Sequence, residues 1–249
     1  MDDHDYAQVL RDTMEELTAQ FAHPTDIGAT LHSVTASCVE LIDGADSGDV
    51  MLISGGERFR SVAATSQLAV DIDRLQERFG EGPCLDAAAG APMVVCNGLR
   101  QEPRWPRFAE AAVGAGVNSA LSFQLFTNKK RMGALNLFGT KPKAFTLESR
   151  AVGAMFATHA AVALIAEDER LQFRSALASR DIIGQAKGMI MERFHVDAVR
   201  AFELLTKLSQ DSNTKLADIA DELVSHGPEP TSGTSRAPAA RRTTLRETT

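Results

Sequence analysis

The chain has 249 residues, of which 44% are hydrophobic and 24% charged, and its formal net charge at pH 7 is -7. This length suits one large domain or two modest ones, and the composition is that of an ordinary globular protein. The sequence contains no run of about 18 apolar residues, so no membrane span is predicted. The acidic N-terminus is unlike a signal peptide. We therefore expect a cytoplasmic protein with no membrane partner.

The first half of the chain alternates helical and extended patterns. Apolar residues at helical spacing predict one helix in "YAQVLRDTMEELTAQF" and a second in "PTDIGATLHSVTASCVELIDGA". The runs "DVMLIS" and "FRSVAAT" flank "GGE", which is typical of a hairpin. "PMVVCN" is a further short apolar run, and "WPRFAEAAVGAG" predicts a short helix that ends at glycine.

A second hairpin is predicted in "VNSALSFQLFTNKKRMGALNLFGT". In its first strand Leu121, Phe123 and Leu125 alternate with Ser122 and Gln124, as in a strand that is buried on one face only. Together these elements predict an α+β domain in which helices flank an antiparallel sheet.

After Pro142 the chain becomes helical. The segment from Thr146 to Phe194 predicts one long helix or two helices joined end to end, and we favour a continuous helix over a loop in its polar middle. Thr146 is a suitable N-cap, and Glu148 suits the positive end of the helix dipole.

Two shorter helices follow and predict a compact three-helix unit. Asp197 is a good N-cap for "DAVRAFELLTKLSQ", and the last helix, "NTKLADIADELV", begins near Asn213 or Thr214. The residues expected to face inward are Ala201, Phe202, Leu205, Leu208, Leu216, Ile219, Ala220 and Leu223. The remaining tail, residues 227–249, is rich in Pro, Ser, Thr and Ala and is predicted to be disordered.

No catalytic motif is present: the sequence lacks G-x-S-x-G, a P-loop and H-E-x-x-H, and its histidines show no metal-ligand spacing, so we expect no enzyme and no metal site. The three cysteines do not indicate a disulfide framework, and buried reduced thiols are the simplest interpretation. Cys84 is the candidate for a redox-sensing thiol, provided that it lies at a helix N-terminus, where the thiolate is favoured.

Residues 6–166 resemble a GAF domain. The order of elements matches that family, and "GALNLFG" followed by "FTLES" is a fairly specific signature. The resemblance implies a small-molecule or signal-sensing module that is often dimeric. It does not name the ligand, because the N-K-x-F-D-E arrangement of cyclic-nucleotide-binding members is absent and no bilin-attachment cysteine is assigned.

The segments "IIGQAKGMIM", "DAVRAFELL" and "NTKLADIADELV" resemble, in order, an ANTAR domain. We expect residues 167–226 to form a helical linker and this all-α domain. The resemblance implies binding of paired hairpins in nascent RNA, which prevents a terminator from forming, and it implies a homodimer. The combined prediction is a signal-responsive transcription antitermination regulator.

Five residues are the candidate RNA contacts: Arg180, Gly184, Lys187, Gly188 and Lys207. Arg180, Gly184 and Lys187 fall on one helix face, while Ile183, Ala186, Ile190 and Phe194 are expected to line a second, buried face. Splayed bases and phosphates need cations and small residues that allow close approach. Gly188 is interpreted as room either for RNA or for helix packing.

Two features favour other functions. Many ANTAR relatives carry arginine where this chain has Thr206, and Lys207 follows it. Residues 178–226 contain six Lys or Arg and eight Asp or Glu, a net charge of -2 that weakens non-specific attraction to nucleic acid. A dimeric interaction scaffold is therefore one alternative. A DNA-binding helix-turn-helix is another, disfavoured by acidic residues in the last helix and by the length of "SQDSNT".

Overall fold

The computed structural model describes residues 8–15, 26–54, 58–126 and 131–226. The predicted disordered tail, the "GGE" turn and most of the "TNKKR" turn lie outside these residues. So does the second half of the first predicted helix, of which residues 8–15 are helical. The chain divides into two compact units, Met1–Leu171 and Gln172–Thr249. The division falls five residues after the predicted boundary.

A five-stranded sheet forms the centre of the N-terminal unit. Its strands are β1 (Ser47–Ser54), β2 (Arg58–Val62), β3 (Met93–Cys96), β4 (Ser119–Phe126) and β5 (Arg131–Gly139). They lie in the order β2-β1-β5-β4-β3, and each neighbouring pair is antiparallel. Both predicted hairpins, β1–β2 and β4–β5, are therefore confirmed.

One face of the sheet packs against α1 (Ile27–Leu41) and the first part of α5 (Leu147–Phe194). Asp26 caps α1 by accepting a hydrogen bond from the Gly28 N–H. The apolar residues that recur at helical spacing in α1, among them Leu31, Val34, Cys38 and Leu41, form a stripe that is buried in this part of the core. The start of α5 is capped as predicted, because Thr146 Oγ1 accepts a hydrogen bond from the Ser149 N–H at 3.2 Å.

The other face is covered by α2 (Gln67–Phe79), α3 (Pro83–Ala89) and α4 (Pro106–Gly114). Helix α2 is not among the predicted elements, although Ser66 caps its start and Gly80 closes its end in the left-handed conformation, with φ of 64°. Since helices cover both faces, β4 is not half-buried: Ser122 is as inaccessible as Leu121.

Helix α5 is continuous over 48 residues, so the single-helix prediction is confirmed. By length and composition it is also the one described helix that is apolar enough to cross a membrane. A core helix meets the same criterion, and α5 supplies Phe156, Ala160 and Leu164 to the sheet-facing core.

The C-terminal unit consists of the end of α5, α6 (Ala198–Ser212) and α7 (Leu216–Ser225). Asp197 caps α6 as predicted, accepting the Arg200 N–H at 2.8 Å. Only Asn213, Thr214 and Lys215 separate α6 from α7, so the predicted long connection is wrong. Asn213 makes this short turn possible by adopting a left-handed conformation, with φ of 51°.

The core of this unit is narrower than predicted. Its buried residues are Ala186, Ile190, Ala201, Leu205, Ile219 and Ala220. Phe202, Leu208 and Phe194 were expected inside, but they are 43%, 46% and 60% exposed. The end of α5 and the two shorter helices α6 and α7 bury only a narrow stripe on each other, and on α6 Ala201 and Leu205 fill that stripe. The fold class, an α+β unit followed by an all-α unit, is confirmed.

Candidate functional site

Lys187 lies on α5 next to the buried Ala186, at the edge of the three-helix core. Its Nζ atom is 5.8 Å from the centroid of the Phe202 ring on α6. A cation at this distance from an aromatic face is attracted by the ring's quadrupole. The structure therefore pairs the predicted lysine with an aromatic residue whose sequence pattern predicts a core position.

Phe202 is exposed because of its position on α6. Ala201 and Leu205, one turn apart, point into the core, and Phe202 follows Ala201 by about 100° around the helix. The Phe202 ring is thus left at the surface. The backbone carbonyl of Phe202 accepts a hydrogen bond from Thr206 Oγ1 at 2.9 Å. An exposed ring beside a lysine is a surface on which a nucleic-acid base can stack.

Gly184 and Gly188 flank Lys187 along the helix, and both are exposed. A Cβ atom built on either glycine meets no atom within 4 Å. Within the single chain these glycines are therefore not required for close packing of α5 against α6 and α7, which favours the interpretation of Gly188 as room for RNA. Each costs about 1 kcal/mol of helix stability relative to alanine. Because they have no side chains, the helix backbone on the N-terminal and C-terminal sides of Lys187 is left uncovered.

Arg180 is exposed and precedes Lys187 by seven residues, so it lies on the same face of α5. Lys207 is exposed too, but it follows Phe202 by five residues. This spacing turns it about 140° around α6 from the ring. The structure thus brings Arg180, Gly184, Lys187 and Gly188 to one face, adds Phe202, and places Lys207 elsewhere.

Thr206 lies one turn after Phe202, so the position that carries arginine in many relatives is beside the ring. Its hydroxyl proton is donated to the Phe202 carbonyl, and the side chain brings no charge. Among the described residues, no carboxylate lies within ion-pair distance of Lys187, Arg180 or Lys207, whereas Arg200 is paired with Glu203 at 2.8 Å. The cations of the Lys187 face are therefore available to a phosphate.

Cys84 lies in the first turn of α3, which is the helix N-terminus that the redox hypothesis required. It is nevertheless fully buried, and burial together with the nearby Asp73 and Asp49 carboxylates raises the pKa of its thiol well above the usual value. A reactive cysteine needs an accessible thiolate, so this environment opposes the redox role. Cys38 and Cys96 are free and buried, and burial raises the pKa of Cys96 to about 11.

No group of three His, Cys, Asp or Glu side chains among the described residues is arranged to hold a metal ion.

Several solved structures share the fold. Free methionine-R-sulfoxide reductase from Neisseria meningitidis, in complex with its substrate, gives a TM-score of 0.53 at 18% identity, covering 68% of this chain and 95% of that one. The GAF domain from a phosphoenolpyruvate-protein phosphotransferase of Coxiella burnetii gives 0.52 at 16% identity, covering 68% and 98%. At these identities the similarity concerns the fold alone.

No curated protein sequence matches the chain. Family models match it in two places. The model of the GAF domain matches residues 24–165, more than half of the chain, and that of the ANTAR domain matches residues 171–224. The chain therefore belongs to the GAF family, with its GAF domain followed by an ANTAR domain.

Proposed function

We propose that the protein is a signal-responsive RNA-binding regulator of transcription antitermination. In this proposal the ANTAR domain binds hairpins in nascent RNA, and the GAF domain controls that binding. The observation that carries the proposal is the position of the Lys187 ammonium over the exposed Phe202 ring, between two glycines with open space around them. This combination suits a hairpin loop, which offers phosphates and unstacked bases together.

Each part of this surface has a distinct task. A splayed base stacks on the Phe202 ring, which is worth about 1–3 kcal/mol for bases on aromatic side chains. Lys187 neutralises the phosphate next to that base, and Arg180 extends the cationic face by two turns of α5. The bare backbone at Gly184 and Gly188 lets the RNA approach closely. Shape and stacking thus compensate for the weak overall charge attraction of residues 178–226, whose net charge is -2.

A homodimer completes the proposal, because two copies present two such surfaces to the paired hairpins of one transcript. Helix α5 contributes side chains to the cores of both the GAF and the ANTAR units. A signal that alters the first part of this helix therefore acts on the same secondary-structure element that carries Lys187. The proposal also places the protein in the cytoplasm, where nascent RNA is made, and assigns it no catalytic activity.

The test is binding of the purified full chain to a tandem-hairpin RNA. We expect Lys187→Ala to weaken binding about tenfold or more, the loss of one cationic contact. Arg193→Ala is the matched control: it removes a cation from the same helix, but Arg193 lies six residues on, about 120° away from Lys187 around the axis. Equal and weak binding by wild type and both variants would refute the proposal.

Two outcomes would favour the alternatives. A stable dimer without RNA affinity would indicate a protein-interaction scaffold, the function that the uncharged Thr206 favours. A preference for duplex DNA over hairpin RNA in competition would indicate a helix-turn-helix, for which the three-residue turn between α6 and α7 is short enough. Asp218, Asp221 and Glu222 on α7 are exposed and would repel the DNA backbone, so RNA remains the proposed partner.

A further inference from the structure

A row of buried polar side chains crosses the sheet of the GAF domain. Asp49 on β1 pairs with Asn136 on β5, and Asn136 pairs with Ser122 on β4, so the three side chains are neighbours on the same face. All three are fully buried beneath α2 and α3. Polar side chains in such a position need partners, because burying an unpaired polar group is costly.

Asp73 on α2 brings a second carboxylate to this row. The Asn136 side-chain amide Nδ2 lies 3.0 Å from Asp49 Oδ1 and 3.4 Å from Asp73 Oδ1, so one donor serves two acids. Ser61 donates a hydrogen bond to Asp49, and Gln76 donates one to Asp73 at 3.2 Å. Asp73 is only 4% exposed.

Asp49 and Asp73 also hydrogen-bond to each other, which requires a proton between them and leaves the pair with one buried negative charge. In the described part of the chain, no Lys, Arg or His side chain hydrogen-bonds or pairs with Asp49 or Asp73, and the other titratable group facing them is the Cys84 thiol. Within this cluster of described residues, two further buried oxygens, Asn136 Oδ1 and Ser122 Oγ, have no hydrogen-bond partner. They come from the neighbouring strands β5 and β4.

We propose that this cluster binds a small cation with N–H donors, ammonium or a small primary amine, and that this ligand is the signal of the GAF domain. Such a group replaces the shared proton with a positive charge and supplies three or more N–H donors for the carboxylates and the open oxygens. An anion would be repelled by the negative charge of the pair. Because Asp49, Asp73, Ser122 and Asn136 are at most 4% exposed, the ligand is small, and its entry requires the helices that cover the sheet to move.

Binding of ammonium or an amine to the GAF domain does not depend on RNA, and only the signalling role of this ligand rests on the proposed function. Ligand binding therefore succeeds or fails separately from hairpin binding. Trp105, the single tryptophan of the chain, is buried in the same half of the core and reports unfolding of this unit by its fluorescence. A ligand that binds only the folded state raises the melting temperature in proportion to the logarithm of its concentration.

The experiment is thermal unfolding of the full chain at pH 7, with ammonium chloride or methylammonium chloride replacing sodium chloride at constant ionic strength. We expect Tm to rise by roughly 5–10 °C when the probe is at one hundred times its Kd. Asp73→Asn is expected to raise Tm in sodium chloride, since a buried charge is removed, and to abolish the response to ammonium. Ser122→Ala, which removes one open acceptor with little change in volume, is expected to weaken that response.

Asp71→Asn is the matched control, because Asp71 lies on the same helix but is exposed and paired with Arg74. It should respond to ammonium as wild type does. An equal rise with potassium chloride would overturn the N–H donor class in favour of a metal cation. A response that Asp73→Asn and Ser122→Ala both retain, or the absence of any response in wild type, would overturn the site itself.

Discussion

The ammonium of Lys187 lies 5.8 Å from the centroid of the Phe202 ring, so α5 and α6 present a cation and an aromatic face side by side. Phe202→Ala removes only the stacking surface and leaves the cation in place. We expect it to weaken binding of hairpin RNA about tenfold or more, the loss of one stacked base. Because the ring is 43% exposed, the cost in stability is small.

Leu208→Ala is the control for this variant. Leu208 is on the same helix and is exposed to a similar extent, but it lies about 120° around the axis from Phe202. Its substitution should leave RNA affinity unchanged, whereas Phe202→Trp should preserve it. Equal losses for Phe202→Ala and Leu208→Ala, measured as Kd beside Tm, would point to a general weakening of the fold.

Gly184→Ala and Gly188→Ala should act in opposite directions on stability and on function. A Cβ at either position meets no neighbour, so each substitution should stabilise the C-terminal unit by about 1 kcal/mol. The added methyl group covers backbone beside Lys187 and should lower RNA affinity. Denaturant unfolding followed by circular dichroism and RNA titrations measure the two effects. A gain in stability with unchanged affinity would remove the glycines from the interface.

Thr206→Arg should increase RNA affinity. Position 206 lies one turn after Phe202, and the threonine hydroxyl is engaged with the Phe202 carbonyl, so the substitution gives up one local hydrogen bond. Arginine adds a cation with a bidentate fork beside the ring. Tighter binding should come with a steeper salt dependence: the slope of log K against log salt concentration should increase in magnitude by about one, for the release of one more counterion. An unchanged salt slope would mean that the RNA does not reach this turn of α6.

Much of this architecture could be predicted from sequence because its signals are local. The stripe of α1, the two hairpins and the caps at Thr146 and Asp197 depend on residues close together in the chain. Phe202 could not be placed, because the pattern "AFELL" suits two neighbouring helix faces equally well. Which face is buried depends on the narrow surface that the partner helices cover.

The buried polar row escaped prediction for a different reason. Ser122 and Gln124 alternate with leucine and phenylalanine, which is the pattern of a strand with one solvent-exposed face. The helix that covers this face, α2, carries Asp73 and Gln76 among its buried residues, so its apolar stripe is interrupted and the sequence pattern does not predict it. The partners Asp49 and Asn136 are 87 residues apart, and only the sheet register brings them together.

Glu102 should stabilise the GAF domain in a pH-dependent manner. Its ion pair with Arg104, with Nη2 and Oε2 2.7 Å apart, lowers the pKa of its carboxyl to about 2. A depressed folded-state pKa gives stability that is present above the unfolded value of about 4.3 and is lost as pH falls toward 2. Glu102→Gln should therefore lower Tm at pH 6 and converge with wild type near pH 2. A Tm difference that is constant over this range would contradict the ion-pair explanation.

Asp73 should change the pH dependence of stability in the opposite sense to Glu102. Burial, followed by the repulsion of Asp49, raises the pKa of its carboxyl well above the usual value. A raised folded-state pKa means that the acid favours folding below its unfolded pKa of about 3.9 and that this contribution is lost as pH rises through the folded value. Asp73→Asn removes this penalty. In sodium chloride its Tm should exceed that of wild type by a margin that widens from pH 4 upward, and Asp71→Asn should show no such trend.

Adding ammonium should narrow the Tm difference between Asp73→Asn and wild type at pH 7, because the bound cation compensates the charge in wild type alone. If ammonium leaves the margin unchanged, the two carboxylates share a proton and not a cation.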